Sequence, residues 1–335
     1  MELGTEKPPF HIQLHLTDKC NLKCRHCYEG ERKAINEWDY DDLLHLISDF
    51  ELAFEKWDVA GEFSLVGGEP TMYPYLSQLL YRLSGSQTIT RFAILTNGVN
   101  LSDEIKKAIL DTSPTVQISV DGIDADHHDY IRGAGNYAKA ISTIQWLKAH
   151  GVSVFVHYVL SKNTVPITWE FISTMDSLGV DQITFSRVVP IGSSDLSALL
   201  SADELRKVFS DLNDYGEKLR ANNSNLVINS ARPLWCLFGE GGRCPAGIQT
   251  LTILPDGTAL PCRRLPIPVG NVKHDSIFSI WYNSPVLWNL RDRSAIKVCG
   301  DCEHLESCGG ARCIAYAVSN DYMGADPQCW LTEKT

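Results

Sequence analysis

Residues 17–28 read Thr17-Asp18-Lys19-Cys20-Asn21-Leu22-Lys23-Cys24-Arg25-His26-Cys27-Tyr28. Cys20, Cys24 and Cys27 stand in the pattern C-x3-C-x2-C. Three thiolates this close can ligate three irons of one [4Fe–4S] cube and leave the fourth iron without a protein ligand. An open iron can bind a small molecule, so the pattern points to chemistry as well as structure. Two other readings compete. Structural zinc takes four ligands, usually as two C-x2-C pairs, and this loop would be one short. A disulfide framework belongs to small secreted domains. This chain has 335 residues, an odd count of eleven cysteines, and a start, Met1 to Pro9, without the basic and apolar parts of a targeting peptide.

Working outward, short apolar runs alternate with amphipathic segments. Candidate strands are His11–Leu16, Glu62–Val66, Arg91–Leu95, Val116–Val120, Ser153–Leu160 and Gln182–Ser186. Helical patterns lie between them at Tyr40–Lys56, Tyr75–Ser84, Ser102–Asp111, Tyr137–His150 and Pro166–Leu178, with Ala202–Ala221 after the last strand. Strands separated by helices imply right-handed crossovers and a parallel sheet. Six such units are too few for a closed eight-unit barrel. The expected fold is α/β: an open, partial (βα)6 TIM-like barrel over residues 10–222. The cysteine loop directly follows the first strand, at the carboxyl end where barrel sites are built.

Beyond about residue 225 the alternation stops. Eight of the eleven cysteines fall between Cys236 and Cys329, separated by glycines and prolines. A small domain over 223–335 with so little core needs metal clusters as staples. The formal net charge of −11 argues against broad nucleic-acid binding, which needs a basic surface. No apolar run approaches the roughly 20 residues of a membrane span. The protein is therefore expected in the cytoplasm, where a reducing environment keeps thiolate ligands available. The acidic cluster Asp124, Asp126 and Asp129 reads as solvated loop charge.

With C-x3-C-x2-C after a first strand, the chain resembles the radical S-adenosylmethionine (SAM) superfamily. That resemblance implies that the open iron chelates the amino and carboxylate groups of SAM. One electron would then split SAM into methionine and a 5'-deoxyadenosyl radical, which abstracts hydrogen from the substrate. Gly67, Gly68, Glu69 and Pro70 follow the second strand. The glycines allow close backbone approach, and the Glu69 carboxylate can accept from an ammonium group. In the superfamily this stretch binds the SAM amino group. His26 takes the aromatic place before the third cysteine, where the family's backbone meets adenine. Asn97 ends the third strand and is a further candidate. The resemblance implies that Ser119 and Arg132 contact the ribose or carboxylate of SAM, and Arg132 suits a carboxylate because its planar fork can bind both oxygens.

The C-terminal cysteines give a second resemblance. Cys244 and Cys262 bracket Gly257, and Cys299-x2-Cys302-x5-Cys308-x4-Cys313 leads to Cys329. This is similar to the SPASM extension of radical SAM enzymes, although that family usually has three residues between its last two clustered cysteines and this chain has four. The resemblance implies two auxiliary [4Fe–4S] clusters: one on Cys236, Cys244, Cys262 and Cys313, the other on Cys299, Cys302, Cys308 and Cys329. Two zinc sites in the same eight thiolates are the alternative.

Three substrate readings follow from the family. The first is maturation of a ribosomally made precursor peptide by crosslinking, epimerisation or backbone excision. The second is side-chain processing of tetrapyrroles in haem biosynthesis. The third is a non-catalytic iron–sulfur electron-transfer protein, which the open-iron triplet and Gly67–Pro70 argue against. With the first cluster cysteine at position 20, no winged-helix leader-binding module is expected. A separate leader-recognition protein and a flavodoxin- or ferredoxin-type electron donor are the expected partners, with no nucleic acid and no membrane. No residue reads as the substrate's acid or base, although His157, Tyr158 and Arg187 could point into the barrel mouth.

Overall fold

The structure, a computed structural model, describes residues 7–30, 35–230, 233–238 and 241–331. The chain runs β1 (Phe10–His15), α1 (Tyr40–Trp57), β2 (Gly61–Val66), α2 (Leu76–Ser84), β3 (Ile89–Thr96), α3 (Asp103–Thr112) and β4 (Thr115–Ser119). It continues through α4 (Ala125–Arg132), α5 (Asn136–Ala149), β5 (Val154–Leu160), α6 (Thr168–Ser177), β6 (Gln182–Arg187) and α7 (Ala202–Ala221). Then come β7 (Val227–Ser230), β8 (Thr250–Ile253), β9 (Thr258–Leu260), β10 (Gly270–Asn271), α8 (Ile277–Asn283), α9 (Pro285–Arg291) and α10 (Arg312–Ser319).

All ten strands lie in one sheet, ordered β10-β9-β8-β1-β2-β3-β4-β5-β6-β7. The strands from β1 to β7 are parallel neighbours, and β8 pairs parallel with β1 on its other side. β9 and β10 add antiparallel edges. The expected six-strand barrel is present and is extended at both ends. The expected boundary at residues 222/223 falls between α7 and β7, and four strands beyond it join the sheet.

Burial explains why these runs form strands. β5 alternates buried and half-buried residues along its whole length, as a period of two requires. Tyr158 packs on Phe171 of α6 with ring centroids 4.2 Å apart. The even-numbered residues of β5 therefore face the helices, and Phe155, His157 and Val159 face the concave side. α1 shows the helical counterpart. Asp39 caps it by accepting from Asp41 N and Asp42 N, and Leu43, Leu46, Ile47, Phe50, Ala53 and Phe54 form its buried stripe. Phe54 and Phe50 meet Phe63 of β2 edge-on at 6.2 and 5.9 Å. Each such ring contributes roughly 2–3 kcal/mol by burial. This packing holds the carboxyl ends of the parallel strands together at one rim.

Candidate iron–sulfur and SAM site

The cysteine loop leaves β1 at that rim and is pinned from all sides through its backbone. Thr17 O accepts from Gly68 N, and Lys19 O from Glu69 N, each at 2.8 Å. Gly67 makes the first of these possible, since a Cβ there would stand 2.6 Å from Thr17 O. Arg25 N donates to Ile131 O at 2.9 Å, and Ser193 N donates to Cys27 O at 2.8 Å. Asn97 Nδ2 donates to Asn21 Oδ1 at 2.8 Å. Segments after β2, β3, β4 and β6 thus each hold one part of the cysteine loop. Cys20 is exposed and Cys24 and Cys27 are half-buried.

Asp121, just past β4, organises the inner face of the loop. It is 0% exposed. Oδ2 accepts from Arg132 Nε at 2.6 Å and pairs with His26 Nε2 at 3.1 Å, while Oδ1 accepts from Val159 N at 3.0 Å. Burial pushes this carboxyl up, but the attraction of Arg132 and His26 and the hydrogen bonds outweigh it, holding it well below the usual range. Arg132 Nη1 reaches to 4.0 Å from Cys24 Sγ. Burial raises the Cys24 thiol and the Arg132 charge opposes that rise. An all-thiolate set on one loop, with a buried guanidinium against it, fits an anionic iron–sulfur cluster. His26 is engaged by Asp121, which leaves the three thiols as the ligand set.

Two of the expected SAM contacts also brace the loop. Glu69 is 1% exposed. Its Oε1 accepts from Thr96 Oγ1 at 2.6 Å and from Thr71 Oγ1 at 2.8 Å, and its Oε2 accepts from Asn97 N at 2.8 Å. The carboxylate braces the loop through these donors. Arg132 gives its Nε to Asp121, so a carboxylate would meet its Nη1–Nη2 edge. Asn97 uses its amide on Asn21 and on Val99 N, at 2.8 and 2.9 Å. Ser119 ends β4 in register with His157 of β5. Of the three barrel-mouth candidates, Tyr158 is turned to the helix side and donates to Thr164 O at 2.7 Å. Arg187 is bound to Asp326. His157 alone faces the concave side, and burial lowers its pKa to about 4.

The C-terminal thiols fall into two groups. Cys244, Cys262 and Cys313 surround Ala246, Leu265 and Leu290. Burial raises the Cys313 thiol, and Cys262 and Cys244 add to the rise. Cys299 is near Cys302 and Cys308, and Cys329 is near Cys299 and Cys308. Cys236 corrects the expected partition. Its thiol is in hydrogen-bond contact with Cys308, which raises the one and lowers the other, so it stands with the second group. Packing is the cause. Leu234 turns the chain at φ 73°, Trp235 is buried to 2% exposure, and Phe238 packs on Trp330 at 6.0 Å. Together they seat Cys236 beside the Cys329 segment. Among the described residues, no three thiol, imidazole or carboxylate groups converge on the space of a single metal ion.

Several residues join the N-terminal loop to the first C-terminal group, and none was identified from the sequence. Glu29 Oε1 pairs with His15 Nδ1 at 3.3 Å and Arg263 Nε at 3.2 Å. Arg263 also lies over the Tyr28 ring at 5.4 Å. Two arginines directly after Cys262 were the one available signal. Asp121, directly after a strand, offered a similar one.

Comparison with known proteins agrees with this geometry. The radical SAM superfamily matches residues 14–171, and the SPASM iron–sulfur cluster-binding domain matches residues 244–303. The chain is 24% identical to the AdoMet-dependent heme synthase of Methanosarcina barkeri over 96% of each protein. It is 27% identical to the mycofactocin maturase MftC of Mycobacterium tuberculosis, over 96% of this chain and 83% of that one. Streptococcus suis SuiB, solved with S-adenosylmethionine, superposes at a TM-score of 0.79 and 18% identity, covering 96% of this chain and 77% of SuiB. The anSMEcpe enzyme with bound AdoMet superposes at 0.76 and 17% identity, covering 97% and 95%. Among the described residues no helix is long and apolar enough to cross a membrane. The chain is a radical SAM superfamily enzyme carrying a SPASM iron–sulfur cluster-binding domain.

Proposed function

We propose that this enzyme matures a ribosomally made precursor peptide. The observation that carries the reading is the likeness, over 96% of this chain, to SuiB, which has been solved bound to its precursor peptide SuiA. The MftC relative at 27% identity supports it. A second reading, tetrapyrrole side-chain processing, is favoured by the heme synthase relative, which matches end to end.

In this proposal Cys20, Cys24 and Cys27 hold the cluster that binds SAM. When bound, that cluster supplies the electron that opens SAM to a 5'-deoxyadenosyl radical. The chain's own residues do the positioning. Asp121 fixes His26 and Arg132 under the loop. Gly67, Gly68 and Glu69 would receive the SAM ammonium group, and Asn97 and Ser119 border the same rim. The concave strand faces, His157 among them, keep the reacting space enclosed. Two auxiliary [4Fe–4S] clusters would lie on Cys244, Cys262 and Cys313 and on Cys299, Cys302, Cys308 and Cys329, with Cys236 beside the second. Residues 10–222 would serve radical initiation and residues 223–335 cluster binding, in the reducing cytoplasm. A flavodoxin- or ferredoxin-type protein would deliver electrons. A short core peptide offers few anchors against the entropic cost of association, so a separate leader-recognition protein would raise its effective concentration at the barrel mouth.

The test is 5'-deoxyadenosine formation by the anaerobic enzyme with precursor peptide, with and without the recognition protein, against a propionate-bearing tetrapyrrole. Peptide-dependent turnover is expected, enhanced by the recognition protein. Product from the tetrapyrrole alone would transfer the assignment to the second reading. Iron counting accompanies it: three [4Fe–4S] clusters give about twelve irons per chain.

A further inference from the structure

Glu29 stands two residues past Cys27, and Arg263 directly follows Cys262. Glu29 Oε1 lies 3.3 Å from His15 Nδ1 and 3.2 Å from Arg263 Nε. His15 is the buried last residue of β1. Arg263 sits in the tight turn after β9, which Leu265 N closes by donating to Cys262 O at 2.8 Å. Three segments therefore meet on one carboxylate oxygen: the end of β1, the residues after Cys27 and the turn after Cys262. Arg263 also lies over the Tyr28 ring at 5.4 Å, so its guanidinium meets two consecutive residues of the N-terminal loop.

The backbone around Glu29 is fixed from the other side. Cys27 O accepts from Gly30 N at 3.2 Å and from Ser193 N at 2.8 Å, and a Cβ on Gly30 would stand 3.0 Å from Gly192 Cα. A movement of the Cys262 turn must therefore break the contact with Glu29 or carry the Cys27 segment along. The Glu29 and Arg263 side chains are 3% and 16% exposed. Solvent screens such a pair weakly, and breaking it leaves a poorly solvated charge. Radical chemistry needs this kind of restraint, since a misplacement of about 1 Å can cost roughly 100-fold in rate.

We propose that Glu29 is a positioning residue whose carboxylate locks the Cys27 segment to the Cys262 turn, so that the radical-generating loop and the first auxiliary thiol group keep one spacing and share one charge environment. This rests on the reading that both groups hold [4Fe–4S] clusters. The bridge places one anion and one cation beside those thiols, and nearby charge and hydrogen bonding set a cluster's potential. Its consequence is therefore measurable in the clusters as well as in the backbone.

The experiment reads both on the anaerobic, iron-loaded enzyme. E29Q keeps an acceptor oxygen and removes only the anion, while R263Q removes only the cation. In a reductive titration followed by electron paramagnetic resonance, the first auxiliary signal is the one lost in C262S. E29Q should raise its midpoint potential and R263Q should lower it, with E29Q/R263Q returning close to wild type and the second auxiliary signal unmoved. Loosening alone would not give opposite shifts that cancel. R263K keeps the charge and should stay near wild type. Amide hydrogen exchange reports the lock itself. R263A should speed exchange at Gly30 N, and E29A at Leu265 N, by about 10- to 100-fold, the range of a charge-assisted bond. Absent or same-sign potential shifts would overturn the shared charge environment, and exchange unchanged across the bridge would overturn the lock. A wild-type enzyme without iron on Cys244, Cys262 and Cys313 would remove the cluster reading, and the reciprocal exchange alone would then uphold or overturn the lock.

Discussion

Breaking the buried ion pair between Arg187 and Asp326 should strongly destabilise the C-terminal region. Arg187 ends β6, and Asp326 lies three residues before Cys329. Nη2 donates to Oδ2 at 2.9 Å and Nη1 to Oδ1 at 3.1 Å, with side chains 4% and 0% exposed. Asp326 also accepts from Ala311 N at 2.8 Å, two residues before Cys313. Gln328 extends the network, taking Arg187 Nη1 at 3.2 Å and donating to Leu200 O at 2.9 Å. Burial pushes the Asp326 carboxyl up, but Arg187 and the backbone donors outweigh it and hold it low. Arg187→Met removes the cation and leaves a lone buried carboxylate, at a cost of about 3–5 kcal/mol. With an unfolding entropy of about 2.1 cal/mol/K per residue, that lowers the melting temperature of this chain by roughly 4–7 °C. Circular dichroism melts under anaerobic conditions measure it. The double variant R187M/D326N carries no lone charge, keeps the acceptor for Ala311 N, and should melt above R187M. Iron should be lost first from the C-terminal thiols, because the network holds the segments bearing Cys313 and Cys329. A fall below about 1 °C for R187M, or a double variant no better than the single, would show that the pair does not support this region.

Two further perturbations test the site. Gly192 has φ +66°, and a Cβ there would stand 2.4 Å from Cys27 O and 2.6 Å from Tyr28 C; Gly192→Ala should therefore displace the cysteine loop and lower iron by about four per chain while the other clusters persist, and full iron with normal SAM cleavage would refute the contact. His128 Nδ1 accepts from Asp121 N at 3.3 Å, and burial, then Arg132, lowers its pKa from 6.5 to about 4. The unfolded chain thus binds the proton first, so this group's contribution, about 3 kcal/mol at most, is present above pH ~6.5 and is lost as pH falls toward ~4. His128→Gln should flatten the decline in denaturation midpoint between pH 7 and 5, and an unchanged slope would count against a neutral buried imidazole.

The elements legible in the sequence are those whose cause is local. β1 to β6 and the helices between them follow from apolar periodicity, and their bounds agree with it to within two residues at nearly every end. α4 escaped because its residues, Ala125–Arg132, are mostly polar. Asp124, read as a solvated charge, caps it by accepting from His127 N, and Asp129 accepts from the backbone of Gly135, Asn136 and Tyr137 at the start of α5. β7 to β10 escaped because they are two to four residues long and take their partners from afar. β8 pairs with β1 in the register His11↔Thr250, a match that no local window contains. The same division runs through the site. C-x3-C-x2-C states its donor set by spacing alone. The hub on Asp121 and the Glu29 bridge are long-range contacts, and spacing is silent about them. Cys236 shows the consequence most directly. The family resemblance implied a cluster shared with Cys244, yet the burial of Trp235 and the contact of Phe238 with Trp330 carry it to Cys308. Which thiols can share a cluster is thus decided by the apolar residues that seat them, and a cysteine pattern read without those residues names the ligands but not their partners.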